Sequence, residues 1–258
     1  MKNKYLIVIC IFLFSAILSA WKSTKETRFI KSLITTSKIE EKSVGKNFEE
    51  IKIGSQIWAL KNLDVVTFNN GDLIPMAKTN EDWKKAAQNK KPAWCYYDGE
   101  FDNGTKYGKL YNWYAVNDPR KIAPKGWHIP NNGDWAKLTE YLGGEINAST
   151  KMKSTTSWTV TEVKETESVS KDNSKKTIKT TEPTIGNGTN ESNFTALPGG
   201  SRDTEGLFHG IGYYGSWWSA TEGTITNGWD RILSCTDSHV YANTTNKACG
   251  FSLRCIKN

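Results

Sequence analysis

The chain ends in ACGFSLRCIKN (residues 248–258), and this stretch decides how the domain closes. Side chains alternate between the two faces of a β-strand. Read as one strand, the stretch puts Cys249, Phe251, Leu253 and Cys255 on a single apolar face. We expect this strand to return to the body of the domain and to hold the terminus there.

The cysteines suggest how the terminus is held. One of the five lies in the apolar N-terminal run, and Cys95, Cys235, Cys249 and Cys255 remain. An even number in an exported chain favours two disulfides. On a straight strand Cys249 and Cys255 are about 20 Å apart, too far for a bond that needs Cα atoms within about 7 Å.

Two pairings are left open: Cys95–Cys255 with Cys235–Cys249, or the crossed pairs. We favour the first, because it closes a loop local to the last strands and staples the terminus to the middle of the domain. Free buried thiols are the alternative.

The N-terminus has the pattern of an export signal. Basic MKNK precedes the apolar run YLIVICIFLFSAILSA, which ends in small residues, so residues 1–20 are expected to be a signal peptide cleaved after Ala20. An uncleaved anchor is the alternative, although the run is short for a bilayer span.

Residues 21–48 are charged and rich in Ser and Thr, which is typical of a flexible linker or stalk. The protein is therefore expected to be secreted, periplasmic or on the cell surface, and to contact the membrane only through an uncleaved signal.

The charge of the chain does not indicate a nucleic-acid partner. The net charge is +7 and the isoelectric point is near 9.0. The lysines are scattered among Glu and Asp instead of forming a block, and an exported protein rarely meets DNA. We therefore predict no nucleic-acid binding.

Local patterns predict a domain over residues 49–258. Residues 49–63 resemble a β-hairpin around a Gly-Ser turn. Helices are predicted in residues 80–92, with Asn80 as N-cap, and in residues 129–144, where an Asn cap precedes Trp135 and Leu138. Few helices, many short strands and many turns indicate an α+β fold.

Two other stretches have distinct compositions. Residues 94–118 alternate aromatics with Gly and Asn and are predicted to form turns and short strands. Residues 159–192 contain few apolar side chains and balanced charges, so they are predicted to be a polar insertion, either a mobile loop or a protruding hairpin.

Several segments together resemble the Fibrobacter succinogenes major paralogous domain, a family of exported bacterial proteins. The resemblance covers about residues 49–258, in the order of the family's own blocks. The segments that carry it are IKIGSQIWALKNLDV, YGKLYNWYAVNDPRKIAPKGWHIPNNGDWAKLTEYLGG, KMKSTTSW, TNESNFTALPGGSRDTEGLF, YYGSWWSATE and KACGFSLRCIKN.

The resemblance implies a C-type-lectin-like fold of the α+β class. Such a fold has short antiparallel strands, about two helices, long loops, and paired N- and C-terminal strands. Many relatives carry a cysteine before the Pro-Lys-Gly-Trp motif, where this sequence has Ala123. This departure makes Cys95 the expected partner of Cys255.

The implied function is binding, without catalysis. The family has no established activity, and its fold relatives bind sugars, proteins or ice, while one branch oxidises cysteine. We expect an exported binding or surface-interaction module whose partner is an extracellular glycan or a surface protein, with carbohydrate as the first ligand class. A structural or protein-adhesion module without a small ligand is the alternative. A cysteine oxidase like the formylglycine-generating enzymes comes third, because it needs a close and reactive cysteine pair.

Candidate ligand-binding residues lie in and near GYYGSWWSATE (residues 212–222). Aromatic rings offer flat faces for sugar rings, and charged side chains can hydrogen-bond hydroxyls. The alternative is that the rings are core packing. The candidates are Tyr213, Tyr214, Trp217, Trp218, Arg202, Asp203 and Glu222.

No cofactor is expected, and the metal signal is weak. The three histidines are far apart in sequence, and no His-Cys spacing suits zinc. Asp98, Glu100 and Asp102 offer oxygen ligands for calcium on one predicted loop. Acidic turns of this kind are more often simply solvated.

Overall fold

The computed structural model describes residues 49–159 and 186–258, together with the backbone of two strands between them. The predicted signal peptide and linker lie outside the described residues, as does most of the predicted insertion. Within that insertion, Thr166–Val169 and Lys175–Ile178 pair as an antiparallel hairpin.

The described strands, in chain order, are β1 (Glu50–Ile53), β2 (Gln56–Ala59), β3 (Trp94–Cys95), β4 (Leu110–Asn112), β5 (Trp127–His128), β6 (Thr166–Val169), β7 (Lys175–Ile178), β8 (Gly199–Arg202), β9 (Phe208–Ile211), β10 (Tyr214–Glu222), β11 (Asn227–Ser234), β12 (Val240–Asn246), β13 (Gly250–Phe251) and β14 (Ile256–Lys257). The described helices are α1 (Asn80–Gln88), α2 (Phe101–Tyr107), α3 (Trp113–Val116), α4 (Asn132–Tyr141) and α5 (Glu145–Met152), with a 3-10 turn at Tyr97–Gly99.

Apart from the β6–β7 hairpin, the described strands form two sheets. The smaller has the order β1-β2-β14-β5. The larger has the order β12-β11-β10-β8-β13-β4-β3, with β9 paired to β8. Each sheet thus combines strands from the N-terminal and C-terminal parts of the domain, so neither sheet can form from one local segment.

The predicted α+β, C-type-lectin-like class is wrong: the structure is mostly β. Among the described residues twelve strands make up the two sheets, and five α-helices replace the expected two. The error arose where residues 94–118 were assigned to turns and short strands, because they also contain α2 and α3. These helices are only seven and four residues long, too short to show a helical repeat in sequence.

The last eleven residues do not form one strand, as the sequence suggested. They form β13 and β14, separated by four residues that belong to neither strand. β13 lies between β8 and β4, and β14 between β2 and β5. Ile256 opposes Trp58, so the last described strand pairs with β2, the second strand of the N-terminal hairpin, and not with β1. The C-terminal segment therefore contributes one strand to each of the two sheets, β13 to the larger and β14 to the smaller.

The main core is built from large aromatic rings. Trp58 from β2 and Trp135 from α4 lie with ring centroids 5.0 Å apart, and Phe194 is 5.6 Å from Trp58. Trp217 of β10 completes the cluster at 6.3 Å from Phe194. Because large rings account for much of the buried apolar area, this cluster holds β2, α4 and β10 together.

Two predicted helices are confirmed, with one change at a boundary. α4 begins after Asn131, whose side chain accepts hydrogen bonds from the backbone N–H groups of Gly133 and Asp134. α1 begins one residue earlier than expected, because Thr79 and not Asn80 is its N-cap. None of the described helices combines the length and apolarity that a bilayer crossing requires.

Candidate functional site

A surface cavity of about 420 Å³ is the candidate site, and we call it the basic groove. Its walls come from four places in the chain: the turn between α1 and β3, α3 with the loop after it, the β10–β11 turn, and the residue after β12. It is lined by Lys90, Lys91, Pro92, Trp113, Tyr114, Asn117, Asp118, Pro119, Arg120, Glu222, Ile225 and Lys247.

Asn112 joins two of these walls. Its buried side-chain oxygen accepts hydrogen bonds from the N–H groups of Ala93 (3.0 Å) and Ala115 (3.2 Å). Its amide donates to the carbonyl of Lys91 at 2.8 Å. One side chain therefore caps α3 and fixes the turn that carries Lys90 and Lys91.

Trp113 forms the buried floor of the groove. Its indole N–H donates to the carbonyl of Ser219 at 3.0 Å, and its backbone N–H donates to the carbonyl of Lys247 at 2.9 Å. A Cβ at Gly228 would lie 2.4 Å from the indole, so only glycine fits beneath this ring.

Lys247 is an almost fully buried cation on this floor. Its ammonium lies 4.7 Å from the centre of a Trp113 ring and donates to the carbonyl of Ile225 at 2.9 Å. It also forms an ion pair with Glu222. The carboxylate of Glu222 is more than half exposed, so it is held in place while it still faces solvent.

Arg120 is fixed at the other side of the groove. It makes two 2.8 Å hydrogen bonds to the carboxylate of Asp118 and one of 3.0 Å to Asp72. The Arg120 hydrogen bonds hold the pKa of Asp118 below its usual range. Both Asp118 and Arg120 therefore stay charged near neutral pH.

The groove combines charges held in ion pairs, exposed lysine charges and aromatic surface. It has four basic and two acidic side chains. Lys90 and Lys91 are exposed and form no ion pair within the part of the chain that the structure describes. The half-buried Tyr114 adds a partly exposed ring. Such a surface suits hydroxyl-rich or acidic ligands.

A second depression of about 460 Å³ continues past Lys91 and Pro92, which line both cavities. We call it the apolar groove, because Pro75, Met76, Ala77 and Ala86 contribute to its walls. The two grooves therefore adjoin at Lys91 and Pro92.

The predicted candidate residues do not converge on one site. Trp217 and Trp218 are fully buried, and their indole N–H groups donate to Asn62 and to the carbonyl of Tyr111. The assignment of these two rings as ligand contacts is therefore wrong, and the packing alternative holds for both. Successive residues of a strand point to opposite faces, and both rings are buried because β10 has packed layers on both faces.

Arg202 is also buried and cannot reach a ligand. Its guanidinium donates to the carbonyls of Ala77 and Gly206, at 3.0 Å each, and lies over the ring of Trp83. It therefore acts as a structural connector between α1 and β8.

Tyr213 and Tyr214 are each 47% exposed at the turn before β10. Nearby in sequence, Asp203 contacts His209 at 2.8 Å. Glu222, the remaining candidate, ends the nine-residue strand β10 that Tyr214 begins. The structure thus places Glu222 in the basic groove and the two tyrosines outside it.

The predicted disulfides are not present: all four described cysteines are free. The prediction used their even number and the expected compartment, but the four thiols have different surroundings. Cys235 belongs to the main core, whereas Cys95 packs in a second cluster with Trp83 and Leu110. Burial raises the pKa of Cys95 to about 11 and the pKa values of Cys249 and Cys255 to about 12.

The weak calcium candidates do not form a metal centre. Asp98 lies in the 3-10 turn, Glu100 follows it, and Asp102 is in the first turn of α2. All three are exposed, and no group of three or more metal-ligating side chains occurs among the described residues.

Sequence reasoning missed most residues of the basic groove. The block NWYAVNDPR, which contains Trp113, Asp118 and Arg120, was quoted only for its family resemblance. Lys247 lies more than a hundred residues further along the chain. No local period connects these positions, because they meet only after the sheet has assembled.

Comparison with known proteins gave one match. A family model described as "Fibrobacter succinogenes major domain" matches residues 51–257, most of the chain. No curated protein and no solved structure matches.

Proposed function

The chain belongs to the Fibrobacter succinogenes major domain family, and from this premise we propose that it is an extracytoplasmic binding module that holds carbohydrate in its basic groove. The family indicates a surface or secreted module. The observation that carries the proposal is the convergence of Trp113, Lys247 and Glu222 in one surface cavity, with the half-buried Tyr114 beside them.

The chemistry of the groove supports a glycan. Tyr114 and Pro119 supply apolar surface for the face of a sugar ring, and Glu222 accepts hydrogen bonds from hydroxyls. Lys90 and Lys91 add charge for acidic sugars.

Binding without catalysis is the second part of the proposal. The described lining of the basic groove contains no histidine, cysteine, serine or threonine, so it has no Ser-His or Cys-His pair. Its two carboxylates are held in ion pairs, Asp118 with Arg120 and Glu222 with Lys247. Burial raises the pKa values of all four described thiols, and a protonated thiol is the unreactive form. These observations support a binding module over a cysteine oxidase.

Export is also proposed, on the strength of the N-terminal apolar run. Mass spectrometry of the protein recovered from its host would give its N-terminus. A mature chain beginning at Trp21, found outside the cytoplasm, is the expected result. An intact Met1 in a cytoplasmic fraction would contradict it.

Glycan binding is testable with one acidic and one neutral polysaccharide. We expect retention on polygalacturonate, on amylose, or on both, and a loss of about three- to tenfold in affinity for Tyr114→Ala, since a ring contact contributes about 0.5–1.5 kcal/mol. Lys91→Ala should weaken binding to polygalacturonate and leave binding to amylose unchanged. Tyr141→Ala removes a ring that is 65% exposed and does not line the groove, so it is the matched control. No retention on either polymer, or equal losses for Tyr114→Ala and Tyr141→Ala, would contradict the proposal.

A protein-adhesion module is the second candidate function. It is favoured by the apolar side chains Leu207, Tyr213 and Tyr214, each about half exposed around the β8–β9 hairpin. This function predicts that Tyr213→Ala and Tyr214→Ala abolish attachment to a protein-coated surface, while the Tyr114→Ala variant is unaffected.

A further inference from the structure

β12 is an open edge of the larger sheet. It is seven residues long, VYANTTN, and contains neither a charged residue nor a proline. Its pairing with β11 runs from Asn227↔Asn246 to Leu233↔Val240 without a register shift. No other described strand pairs with it. An edge of this length and composition is a template for pairing with another chain.

The other described edges of the two sheets are protected. β3 and β5 are only two residues long, and β1 carries the charged side chains of Glu50 and Lys52. β9 has only four residues, against seven in β12. Short length and charge are usual means of blocking an edge, and β12 has neither.

The hydrogen-bonding pattern shows which groups are available. The N–H of Lys247 donates to the carbonyl of Thr226, and bonded positions alternate along an antiparallel pair. Tyr241, Asn243 and Thr245 therefore bond to β11, while Ala242 and Thr244 direct their backbone groups outward. α5 packs near the Val240 end, so the accessible part of the edge is centred on Asn243.

This edge is complementary to itself. With a two-fold axis through Asn243, Ala242 lies opposite Thr244 of the partner subunit, and all four outward N–H and C=O pairs are satisfied. Tyr241 then lies opposite Thr245 of the partner subunit, an aromatic–β-branched pair of the kind that stabilises sheets. No like charges meet, although each chain has a net charge of +7.

We propose that β12 is a dimerisation surface and that its partner is the β12 strand of a second copy of this chain, in antiparallel register about Asn243. The two larger sheets become one continuous sheet across the interface. A two-fold dimer displays two basic grooves, which would raise the avidity of the module for a polymer. The dimer itself depends on neither the identity nor the existence of that ligand.

Crosslinking tests the register. Asn243 pairs with itself at a non-hydrogen-bonded position, where Cα atoms are about 4.5 Å apart, within the range for a disulfide. The chain is expressed with residues 1–48 retained. Asn243→Cys should form a covalent dimer under mild oxidation. Thr226→Cys, at an exposed turn, should not. Equal crosslinking of the two variants would overturn the proposal.

Charge pairs test the surface itself. The double variant Ala242→Lys/Thr244→Lys places lysines opposite each other across the axis, whereas Ala242→Lys/Thr244→Glu at the same positions places opposite charges together. Sedimentation velocity should show a concentration-dependent dimer for the unmodified chain and for the lysine–glutamate variant, and a monomer for the lysine pair. Circular dichroism establishes that all three are folded. A monomeric unmodified chain at its highest soluble concentration, or identical behaviour of the two double variants, would overturn the proposal.

Discussion

At the scale of single residues, Asp230 is a carboxyl group in an environment that disfavours its charged form. Its side chain is fully buried. One oxygen accepts a 2.7 Å hydrogen bond from the hydroxyl of Thr245, and the other has no partner among the described residues. Burial is the main cause of the raised pKa of this carboxyl. A buried carboxylate with one oxygen left unpaired is a cost that the surrounding fold must offset.

Asp230→Asn should therefore stabilise the protein at neutral pH. The folded-state pKa lies above the unfolded value of about 3.9, so stability falls as pH rises through the folded pKa. Removing the charge should add about 1 kcal/mol to the free energy of unfolding at pH 7, and the gain should shrink as the pH falls toward the unfolded pKa. Urea titrations at several pH values measure this.

Asp203→Asn is the control, because it should change the free energy of unfolding in the opposite direction. Burial works to raise the pKa of Asp203, but hydrogen bonds from His209 and from the backbone of Leu207 and Glu205 lower it overall. Its contribution is present above the unfolded pKa and is lost on acidification. Asp203→Asn should therefore destabilise at pH 7. The same sign for both variants would contradict the assignment of these two environments.

At the scale of elements, α4 shows how a capping sequence positions the side chains that the helix contributes to the core. Asn131 and Asp134 form a reciprocal capping box at its start, and Trp135 and Leu138 on the helix are fully buried. The cap sets where the helix begins, and the start sets which face the indole presents to Trp58.

Asn131→Ala should cost about 1 kcal/mol, because it leaves two N–H groups at the start of α4 without an acceptor. Lys137→Ala, at an exposed position on the same helix, should change the free energy of unfolding by less than about 0.5 kcal/mol. The urea midpoint reports both, provided that the m-value is unchanged. Equal midpoints for the two variants would show that the cap does not contribute.

At the scale of the whole molecule, Arg254 joins three distant parts of the chain. Its buried guanidinium donates to the carbonyls of Ala59 (3.0 Å), Leu60 (2.8 Å) and Phe194 (2.8 Å), and to the side-chain oxygen of Asn62. Burial lowers the pKa of Arg254 to about 9. The residue between the two terminal strands is therefore the connector between the N-terminal hairpin and the segment before β8.

Arg254→Ala should destabilise the whole domain by about 3–5 kcal/mol, because it leaves a cavity and several buried carbonyls without donors. Lys257→Ala, three residues later, removes an exposed ion pair with Glu50 and a cation–π contact with Trp127 and should cost less than about 1.5 kcal/mol. Thermal unfolding should show one cooperative transition in each case, with a lower midpoint for Arg254→Ala. A similar midpoint for both variants would mean that the Arg254 contacts of the C-terminal segment do not stabilise the domain.

The sequence by itself determined the family, the two capped helices and the return of the C-terminus to the first strands. The helices depend on the local spacing of apolar residues and on capping residues such as Asn131. The family depends on the order of its motifs along the chain, which can be seen without a structure. Only the tertiary structure decided the mostly β class, the burial of Trp217 and Trp218, the separation of the cysteines, and the groove that unites Lys90, Trp113, Glu222 and Lys247. Each of these depends on which distant strands share hydrogen bonds, and strand order is set by the free energy of the assembled sheet, not by any short segment.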